Sequence, residues 1–471
     1  MPLPAEPGSA SVAVIGGGIA GLSAAYALAQ RRVPFTLFEA GPRFGGVIQT
    51  VAEQGFLLEG GPDSMLAQKP EALGLCRELG LAERLIPTNP AERTVFVLHR
   101  GRLHPLPEGM VLAIPTRIGP FVRSGLFSWP GKLRMGLDLV LPRRRDGGDE
   151  SIASFLGRRF GREAVERLGE PLLAGIHAGD PERLSIRATF PRFAELEQRH
   201  GSLVRGMWAA PKPPAPKLGA APAAAFYSLQ GGLQELVEAL VARLPASCLR
   251  ARASVSALAS APGGFSLSLN GGERWSAKAV IVAAPAPSAA PLVAPLEPEV
   301  ARRLAAIPFA SSATVLLGYR REQVQDPLHG YGMVIPKTEG LRTSACSFFS
   351  TKFPGRAPEG HVLLRGFLGG TRDPEVLALD DAAMVATVCR EMEPVLGLRG
   401  QPVLSRVFRW PRGTPQMEVG HLESMAALEA RVAAIPGLFL TGAGLRGTGL
   451  PDGIADATRT AIAAAEWLSS R

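Results

Sequence analysis

Cysteine is scarce in this chain of 471 residues, and the few cysteines lie far apart. Cys76, Cys248, Cys346 and Cys389 form no Cys-x-x-Cys pair. This spacing argues against a zinc site and against a disulfide framework, and it is typical of proteins in a reducing cytoplasm. We therefore expect a cytoplasmic protein that holds no metal.

Long apolar segments without helix breakers are also missing. The segment Ala279–Leu296 has no charged residue, but it is interrupted by Pro285, Pro287, Pro291 and Pro295, so it cannot form a membrane-spanning helix. Met1–Ala10 has neither a basic segment nor an apolar core, and a signal peptide is not expected. Any membrane contact would be peripheral.

The sequence shows no catalytic pattern for hydrolysis or metal chemistry. There is no His-Glu-x-x-His motif, no recognisable Ser-His-Asp set and no pair of carboxylates at an informative spacing. The missing patterns leave a reaction carried by a bound organic cofactor as the expected chemistry. Such a reaction needs positioning of the substrate and exclusion of water more than it needs a catalytic side chain.

Acidic residues are fewer than basic ones, which gives a net charge of +9. Much of the excess lies between positions 111 and 145, where Asp138 is accompanied by Arg117, Arg123, Lys132, Arg134, Arg143, Arg144 and Arg145. Such a stretch favours anionic lipid headgroups or an acidic substrate, and a solvated basic face is the alternative. No nucleic-acid motif accompanies it, so nucleic acid is not an expected partner.

The clearest pattern in the chain is Ser11–Glu39, where an apolar strand, a glycine motif, a helix and a second strand follow one another. Gly16, Gly18 and Gly21 have the spacing Gly-x-Gly-x-x-Gly. The first glycine permits a tight turn, the second lets the backbone approach a pyrophosphate, and the third lets helix and strand pack closely. The helix N-terminus favours the phosphates. The pattern predicts a dinucleotide-binding unit.

Glu39 ends the second strand, where a carboxylate can accept both ribose hydroxyls of an adenosine. The same carboxylate would repel a 2′-phosphate, so NADP is not expected. An Arg-x-Gly-Gly loop, Arg43–Gly46, follows and would add a cation and a second close backbone approach. This arrangement resembles the flavoprotein family of amine oxidases, carotenoid desaturases and porphyrinogen oxidases, and the resemblance implies FAD as cofactor.

The remaining patterns predict an α/β fold with a discontinuous Rossmann-like FAD-binding domain. Strand patterns between Phe309 and Leu368 predict an inserted, mostly antiparallel substrate sheet, and amphipathic patterns between Glu150 and Arg199 predict a helical domain facing a membrane. The expected divisions are FAD-binding domain 1–88, 226–298 and 435–471; substrate domain 89–104 and 299–434; helical domain 105–208; and a Pro/Ala-rich linker 209–225.

Two further segments carry a more specific resemblance. Leu173–Pro191 is similar to the hallmark segment of oxygen-dependent protoporphyrinogen oxidases, and Gly447–Asp452 is similar to the flavin-contacting turn of that family. His104–Pro142 resembles the bacterial branch that oxidises coproporphyrinogen III. The resemblance implies a late step of heme biosynthesis, in which O₂ reoxidises the flavin and H₂O₂ is released.

The resemblance also implies site residues. Gly175 would present its backbone carbonyl to the pyrrole N–H groups. Two glycines and a proline within Leu173–Pro181 break the helical pattern there, which indicates a close approach of the backbone to another group. The substrate contacts are expected at Ile176, Met333, Val334, Phe348 and Arg93, with Phe349 as a further wall residue and Arg372 as an alternative propionate partner. The FAD contacts would be Gly16, Gly17, Gly18, Ile19, Ala20, Gly21, Glu39, Ala40, Arg43, Gly45, Gly46, Val47, Gly61, Pro62, Asp63, Ser64, Val255, Trp410, Thr448, Gly449 and Leu450.

Two positions depart from the family pattern. Ala443 stands where many FAD enzymes have Asp and the porphyrinogen family often has Asn, so a contact to the ribitol is missing. His177 stands where the family has an aromatic residue, and a histidine that faces solvent or a neighbour is the simpler interpretation.

Several alternatives stay open from the sequence. The chain could be another oxidase or desaturase of this flavin fold, although residues 439–452 contain only Phe439 for the aromatic cage expected of an amine oxidase. It could also bind flavin without turnover. The sequence ranks neither coproporphyrinogen nor protoporphyrinogen first, and it leaves the oligomeric state open, with a homodimer among the candidates.

Overall fold

The structure is a computed structural model that describes residues 9–144, 147–210 and 224–471. The start of the predicted N-terminal tail (1–8), Arg145 of the basic stretch and most of the predicted linker (211–223) lie outside the described residues.

The strands of the described residues fall in several runs along the chain. They are β1 Ser9–Ile15, β2 Phe35–Phe38, β3 Thr50–Glu53, β4 Phe56–Glu59, β5 Met65–Leu66, β6 Leu85–Pro87, β7 Val95–His99, β8 Arg102–Pro105, β9 Met110–Val111, β10 Ile114–Pro115, β11 Phe226–Leu229, β12 Leu249–Arg250, β13 Val255–Ala261, β14 Gly264–Leu269, β15 Arg274–Val282, β16 Phe309–Arg320, β17 Gly332–Val334, β18 Ala345–Phe348, β19 His361–Gly369, β20 Leu404–Pro415 and β21 Leu438–Leu440.

The helices range from a single turn to the long C-terminal helix. They are α1 Ile19–Gln30, α2 Pro70–Glu78, α3 Ile118–Arg123, α4 Trp129–Gly136, α5 Ile152–Phe160, α6 Arg162–Ala164, α7 Glu170–His177, α8 Ile186–Thr189, α9 Pro191–His200, α10 Leu203–Ala209, α11 Gln234–Arg243, α12 Ala286–Val293, α13 Pro298–Ala305, α14 Phe349–Lys352, α15 Asp381–Leu396, α16 His421–Val432 and α17 Leu450–Ser469.

One sheet joins distant parts of the chain around the dinucleotide unit. Its order is β12-β2-β1-β15-β14-β13, and β21 also pairs with β15. The pairs β1–β2, β1–β15 and β15–β21 are parallel, and residues 12–15 of β1 are buried, as expected of a strand covered on both faces. The first, middle and last segments therefore share one Rossmann-like sheet, as predicted, with α1, α11 and α17 packed in one core beside it.

The second sheet has the order β20-β16-β19-β18-β17-β7-β8. Only the pair β7–β17 is parallel among the described pairings of this sheet, so the prediction of a mostly antiparallel sheet is confirmed. Met384, Val388 and Met392 of α15 cover one face of this sheet. The opposite face packs against β4 and the helical segment.

Helices α3 to α10 follow one another between residues 118 and 209. A π-helical turn, Val165–Gly169, leads directly into α7. The helical pattern breaks within Leu173–Pro181, as predicted, but α7 runs through Gly175 and its last residue is His177. The helix ends at Ala178, which is left-handed with φ 49°.

No helix among the described residues is long and apolar enough to cross a membrane.

Candidate functional site

The first glycine loop, Gly16–Gly21, connects β1 to α1 and needs its glycines for steric reasons. Gly16 has a φ of +109°, and a Cβ on Gly21 would lie 1.8 Å from the carbonyl oxygen of Gly16. The turn is therefore closed by the approach of α1 to the end of β1, as the motif predicts. Gly18 caps α1, whose first N–H groups face out of the turn.

A second glycine loop, Gly41–Gly46, lies against the first. The N–H of Gly45 donates to the carbonyl of Gly17 at 2.8 Å, and a Cβ on Gly46 would lie 3.2 Å from the Cα of Gly18. Side chains at these positions would fill the space between the loops. The two loops thus form a cradle of backbone that suits a pyrophosphate.

Glu39 lies at the end of β2 beside this cradle. Its carboxylate accepts a hydrogen bond from the N–H of Gly17 at 2.7 Å and another from Gly41 at 2.6 Å. These bonds hold the carboxylate where β2 ends, with both oxygens on the cradle side. The position fits an acceptor for ribose hydroxyls, and Val255 begins β13 close by, since Ala253 donates to the carbonyl of Glu39 at 2.8 Å.

Arg43 braces the second loop from inside. Its guanidinium donates to the carbonyls of Gly46 at 2.6 Å and Ile48 at 2.8 Å. Burial lowers the pKa of Arg43 and the charge of Glu39 opposes that change. Arg43 therefore places a cation beside the cradle while it also fixes the loop backbone.

A third turn, Gly60–Ser64, follows β4 and is tied to the second sheet. Asp63 receives Lys352 Nζ at 2.9 Å and Arg365 Nη1 at 3.0 Å, and Arg365 also donates to the carbonyl of Gly61. Burial alone would raise the pKa of Asp63, but Lys352, Arg365 and the Ser64 hydroxyl outweigh it and hold the pKa below its usual range. Sequence reasoning missed Lys352 and Arg365, because nothing in their local sequence points to Asp63.

Glu59 lies just before this turn and is fully buried. It accepts hydrogen bonds from the N–H of Leu233 at 2.7 Å and from the Thr50 hydroxyl at 2.8 Å. Burial raises its pKa to about 7, and the two hydrogen bonds and the charges of Arg356 and Arg365 oppose the rise. A carboxyl that titrates near neutrality therefore lies next to the predicted flavin contacts.

The C-terminal turn lies on the same side of the first sheet. Gly449 caps α17, which begins at Leu450, and the N–H of Gly449 donates to Asp452 at 3.3 Å. Lys69, at the start of α2, binds the Asp452 carboxylate at 2.6 Å. The helix N-terminus brings a partial positive charge to Thr448–Leu450, where the sequence predicts the flavin.

Two further predicted contacts flank this region. Trp410 Nε1 donates to the carbonyl of Gly60 at 2.9 Å, and a Cβ on Gly61 would lie 1.8 Å from the carbonyl oxygen of Val47. Ala443 is exposed and offers no polar side chain, while its neighbour Thr441 is bonded to Asp456 at 2.7 Å. The missing ribitol contact therefore has no replacement from Thr441. The other predicted FAD residues, Ile19, Ala20, Ala40, Pro62 and Ser64, lie within the three glycine turns or beside them.

On the substrate side, the C-terminal end of α7 leaves backbone oxygens open. Within the residues that the structure describes, no hydrogen bond ends on the carbonyl of Gly175, whereas the carbonyls of Ala174 and His177 accept from Ala178 and Gln416. A Cβ on Gly175 would lie 3.5 Å from Ala345 and 3.7 Å from Val334, in ordinary contact. The Gly175 carbonyl is thus open as predicted, but glycine is not needed there for space or for φ.

The predicted substrate wall is only partly assembled. Ile176 is 63% exposed and Val334 lies against α7. The prediction that Met333 and Phe348 contact the substrate is wrong, because both are buried in the core with α15 on the opposite face of the second sheet. Successive strand residues point to opposite faces, so Met333 and Val334 cannot both face α7.

The charged and aromatic candidates have other partners. Arg372 is bonded to Glu170 and to the carbonyl of Ile335, which occupies its guanidinium within the protein. Phe349 is fully buried in a core with Phe353 and Phe408. Arg93 Nε donates to the carbonyl of Pro90 at 3.1 Å, at the start of the segment that enters β7. Arg372 is therefore not a free propionate partner and Phe349 is not a wall residue. The role of Arg93 as a propionate partner stays a prediction.

These residues fit a flavin dinucleotide. The glycines keep the cradle open, because side chains at these positions would fill it. Glu39 supplies acceptors at the ribose end, and the N-terminus of α17 supplies positive charge at the other end.

Comparisons with known proteins agree with this geometry. Residues 19–468 match the protein family described as flavin-containing amine oxidoreductase. A coproporphyrinogen III oxidase from Bacillus subtilis is 39% identical over 94% of this chain and 96% of its own length. A chloroplastic protoporphyrinogen oxidase from Nicotiana tabacum is 31% identical over 93% of this chain and 82% of its own.

Solved structures give the same fold. A crystal structure from an Exiguobacterium species, named provisionally as a protoporphyrinogen oxidase, superposes with a TM-score of 0.85 at 31% identity and covers 98% of this chain and 99% of that chain. A putrescine oxidase variant superposes with a TM-score of 0.71 at 16% identity, covering 100% of both chains, which shows the shared fold alone.

Proposed function

The chain belongs to the family of flavin-containing amine oxidoreductases, and on that premise we propose that it oxidises a porphyrinogen to the porphyrin in heme biosynthesis. The observation that carries the proposal is the full-length similarity to a protein named coproporphyrinogen III oxidase, at 39% identity over 94% of this chain. Because that relative is more similar than the chloroplastic protoporphyrinogen oxidase, coproporphyrinogen III is the proposed substrate and protoporphyrinogen IX the second candidate.

FAD is the proposed cofactor. The glycine cradle would hold its pyrophosphate, Glu39 its adenosine ribose, and the start of α17 the polar edge of its ring. Bound FAD would supply a hydride acceptor that O₂ reoxidises with release of H₂O₂.

The protein's own residues would position the substrate. The open carbonyl of Gly175 would accept pyrrole N–H groups, Ile176 and Val334 would contact the apolar disc, and Arg93 would bind a propionate. Holding a meso carbon against the cofactor contributes to the rate by orientation, since small misplacements are costly.

An assay of both porphyrinogens tests this function. We expect aerobic incubation of the purified yellow protein to develop porphyrin fluorescence, faster with coproporphyrinogen III than with protoporphyrinogen IX, with H₂O₂ formed. A parallel incubation with diamines and monoamines tests the amine oxidase alternative. Flavin reduction by an amine and none by either porphyrinogen would contradict the proposal.

We further propose that the protein is cytoplasmic and contacts a membrane at the exposed apolar face of α3, α4 and the turn that follows α4. This face consists of Ile118, Val122, Trp129, Leu133, Leu137 and Val140, and Leu133 is 73% exposed. Large apolar side chains grouped on one surface are typical of an interaction site, and Trp suits the headgroup region.

The basic stretch contributes less to this surface than its composition indicates. Lys132 donates to the carbonyl of Val122 at 2.7 Å, and Arg134 donates to the carbonyls of residues 157–159. Arg117 is paired with Glu108. Apolar insertion, with Arg123 at its edge, therefore supports membrane contact better than charge does.

A further inference from the structure

The end of α7 is held by one buried side chain, Gln416, which follows β20 and is only 2% exposed. Its amide nitrogen Nε2 donates to the carbonyl of His177, the last residue of α7, at 3.0 Å and to the carbonyl of Thr414 at 3.1 Å. Because both neighbours are carbonyl oxygens, the NH₂ end of the amide must face them. Neither an apolar side chain nor a carboxylate can make these two bonds.

These bonds tie the last turn of α7 to other elements. A helix end leaves carbonyl groups without partners inside the helix. Gln416 takes the carbonyl of His177, and the N–H of Thr371, which follows β19, donates to the carbonyl of Ala178 at 2.9 Å. The carbonyl of Gly175 accepts no bond from any residue that the structure describes. The last turn of α7 is therefore fixed on both sides of its end while the Gly175 carbonyl stays open.

Gly179, the second glycine within Leu173–Pro181, makes room for the Gln416 amide. A Cβ on Gly179 would lie 2.5 Å from Oε1 of Gln416 and 2.6 Å from Cδ1 of Leu184, too close for either atom to stay in place. The φ of Gly179 lies outside the left-handed region, so backbone freedom does not explain this glycine. The lack of a side chain explains it, because the chain after α7 can then close over Gln416.

The residue before Gln416 lies against the turn that precedes α17. A Cβ on Gly444 would lie 2.6 Å from the Cβ of Pro415, and the N–H of Gly444 donates to the carbonyl of Gly447 at 2.8 Å. Gly447 leads directly into the proposed flavin contacts at the start of α17. The pair Pro415 and Gln416 therefore connects the end of α7 with the proposed flavin turn through direct contacts.

We propose that Gln416 is a positioning residue for porphyrinogen oxidation, which holds the last turn of α7 so that the open carbonyl of Gly175 lies at a fixed distance from the flavin turn. Gly179 serves the same purpose, because a side chain there would push the amide away from the carbonyl of His177. Such positioning matters because a misplacement of about 1 Å can cost roughly a hundredfold in rate. This role rests on the proposed function, and it adds two residues that act through α7 rather than by contact with the substrate.

Gln416→Met tests the role of the amide, since it removes the donor and keeps the length of the side chain. We expect kcat for coproporphyrinogen III, per bound flavin, to fall by about tenfold or more. Affinity for the product coproporphyrin III, measured by fluorescence titration, should fall several-fold, while FAD retention on dilution should match the wild type. Gln401→Met, at an exposed glutamine between α15 and β20, is the matched control.

Hydrogen–deuterium exchange follows the helix itself without turnover. In Gln416→Met we expect faster exchange of the amides in residues 173–181 and unchanged exchange in α1. Gly179→Ala keeps Gln416 but displaces its amide, so it should produce the same changes in exchange, porphyrin affinity and kcat. In the double variant the loss of porphyrin affinity should be smaller than the sum of the two single losses, because both substitutions break the same contact.

Two results would overturn this role of Gln416. One is faster exchange in residues 173–181 together with wild-type porphyrin affinity and kcat per bound flavin, because the end of α7 would then be loosened without consequence for the substrate. The other is unchanged exchange in both single variants. If Gln416→Met does not retain FAD, the same measurements on Gly179→Ala decide. A wild-type protein that oxidises neither porphyrinogen would overturn the proposed function instead.

Discussion

Lys352 donates to the carboxylate of Asp63 at 2.9 Å, although the two residues are 289 positions apart. Lys352 ends α14, next to the second sheet, and Asp63 lies in the glycine turn after β4. Arg365 of β19 joins the same carboxylate and the carbonyl of Gly61. The second sheet therefore holds a turn of the proposed flavin site in place through one acid, Asp63.

Lys352→Met should loosen this turn. Asp63 keeps Arg365 but loses a charged hydrogen-bond donor, which typically costs about 1.5–3 kcal/mol. We expect a lower melting temperature of the FAD-loaded protein and faster loss of FAD on dilution. Lys337→Met, at an exposed lysine, is the control. Equal flavin retention in both variants would show that the Asp63 turn does not depend on Lys352.

Glu39→Ala should weaken FAD binding by about 1–3 kcal/mol, the range for loss of a charged acceptor at a buried site. The structure adds a second effect, because the N–H groups of Gly17 and Gly41 lose their acceptor in the same variant. Glu39→Gln retains one amide oxygen and should fall between wild type and Glu39→Ala. Isothermal titration of the FAD-free proteins measures these differences, and Glu71→Ala on the exposed face of α2 controls for charge. An unchanged affinity in Glu39→Ala would remove Glu39 from the ribose site.

Glu59 should make stability fall as pH rises towards 7. Its pKa is raised to about 7 in the folded protein, above the ordinary carboxyl value of the unfolded chain. The folded state therefore binds the extra proton between these values, and its loss destabilises the fold by an amount on the order of 3 kcal/mol at most. Glu59→Gln should flatten the pH dependence of the melting temperature between about pH 5 and 7.5 and raise the melting temperature above neutrality. A parallel pH profile in wild type and variant would show that Glu59 does not titrate in this range.

The sequence predicts the parts of the site that are local. The Gly16–Gly21 loop, the adjoining strands and Glu39 lie within one stretch, so motif spacing places them together. The resemblance also points to Gly61–Ser64, but Lys352 and Arg365 reach this turn only through the pairing of β18 and β19, which no local pattern encodes.

The prediction of the substrate wall was wrong for two residues, again because local sequence does not encode the arrangement of strands. Met333, Val334 and Phe348 are equally apolar, and the sequence gives no sign of which face of the second sheet each residue occupies. Register decides this, and it places Val334 towards α7 but Met333 and Phe348 towards α15. The helix breaks after His177 rather than at Gly175, because a helix tolerates one glycine at a cost of only about 1 kcal/mol.

The exposed apolar face of α3 and α4 should bind lipid vesicles. Leu133→Glu places a charge at one of its two most exposed positions and should reduce cosedimentation with anionic vesicles several-fold, because burying a charge opposes insertion. Leu422→Glu, at an exposed leucine of α16, is the matched control. Since several basic residues near this face are paired within the protein, we expect only a weak dependence on salt. Strong salt dependence with no effect of Leu133→Glu would assign the binding to charge instead.

Gly175→Ala should preserve the site and stabilise α7. The added methyl group would meet Ala345 and Val334 at ordinary contact distances, and the helix would gain about 0.5–1 kcal/mol from the loss of glycine. The open carbonyl remains in the variant, so turnover per bound flavin should stay within about twofold of wild type. Gly175→Val adds further carbon atoms against Ala345 and should lower the melting temperature, since overpacking typically costs about 1–3 kcal/mol. Melting temperature and turnover per flavin, measured on the same samples, separate these effects. A Gly175→Ala protein that keeps its flavin and stability but loses turnover would show that the substrate, rather than the second sheet, needs the space at this glycine.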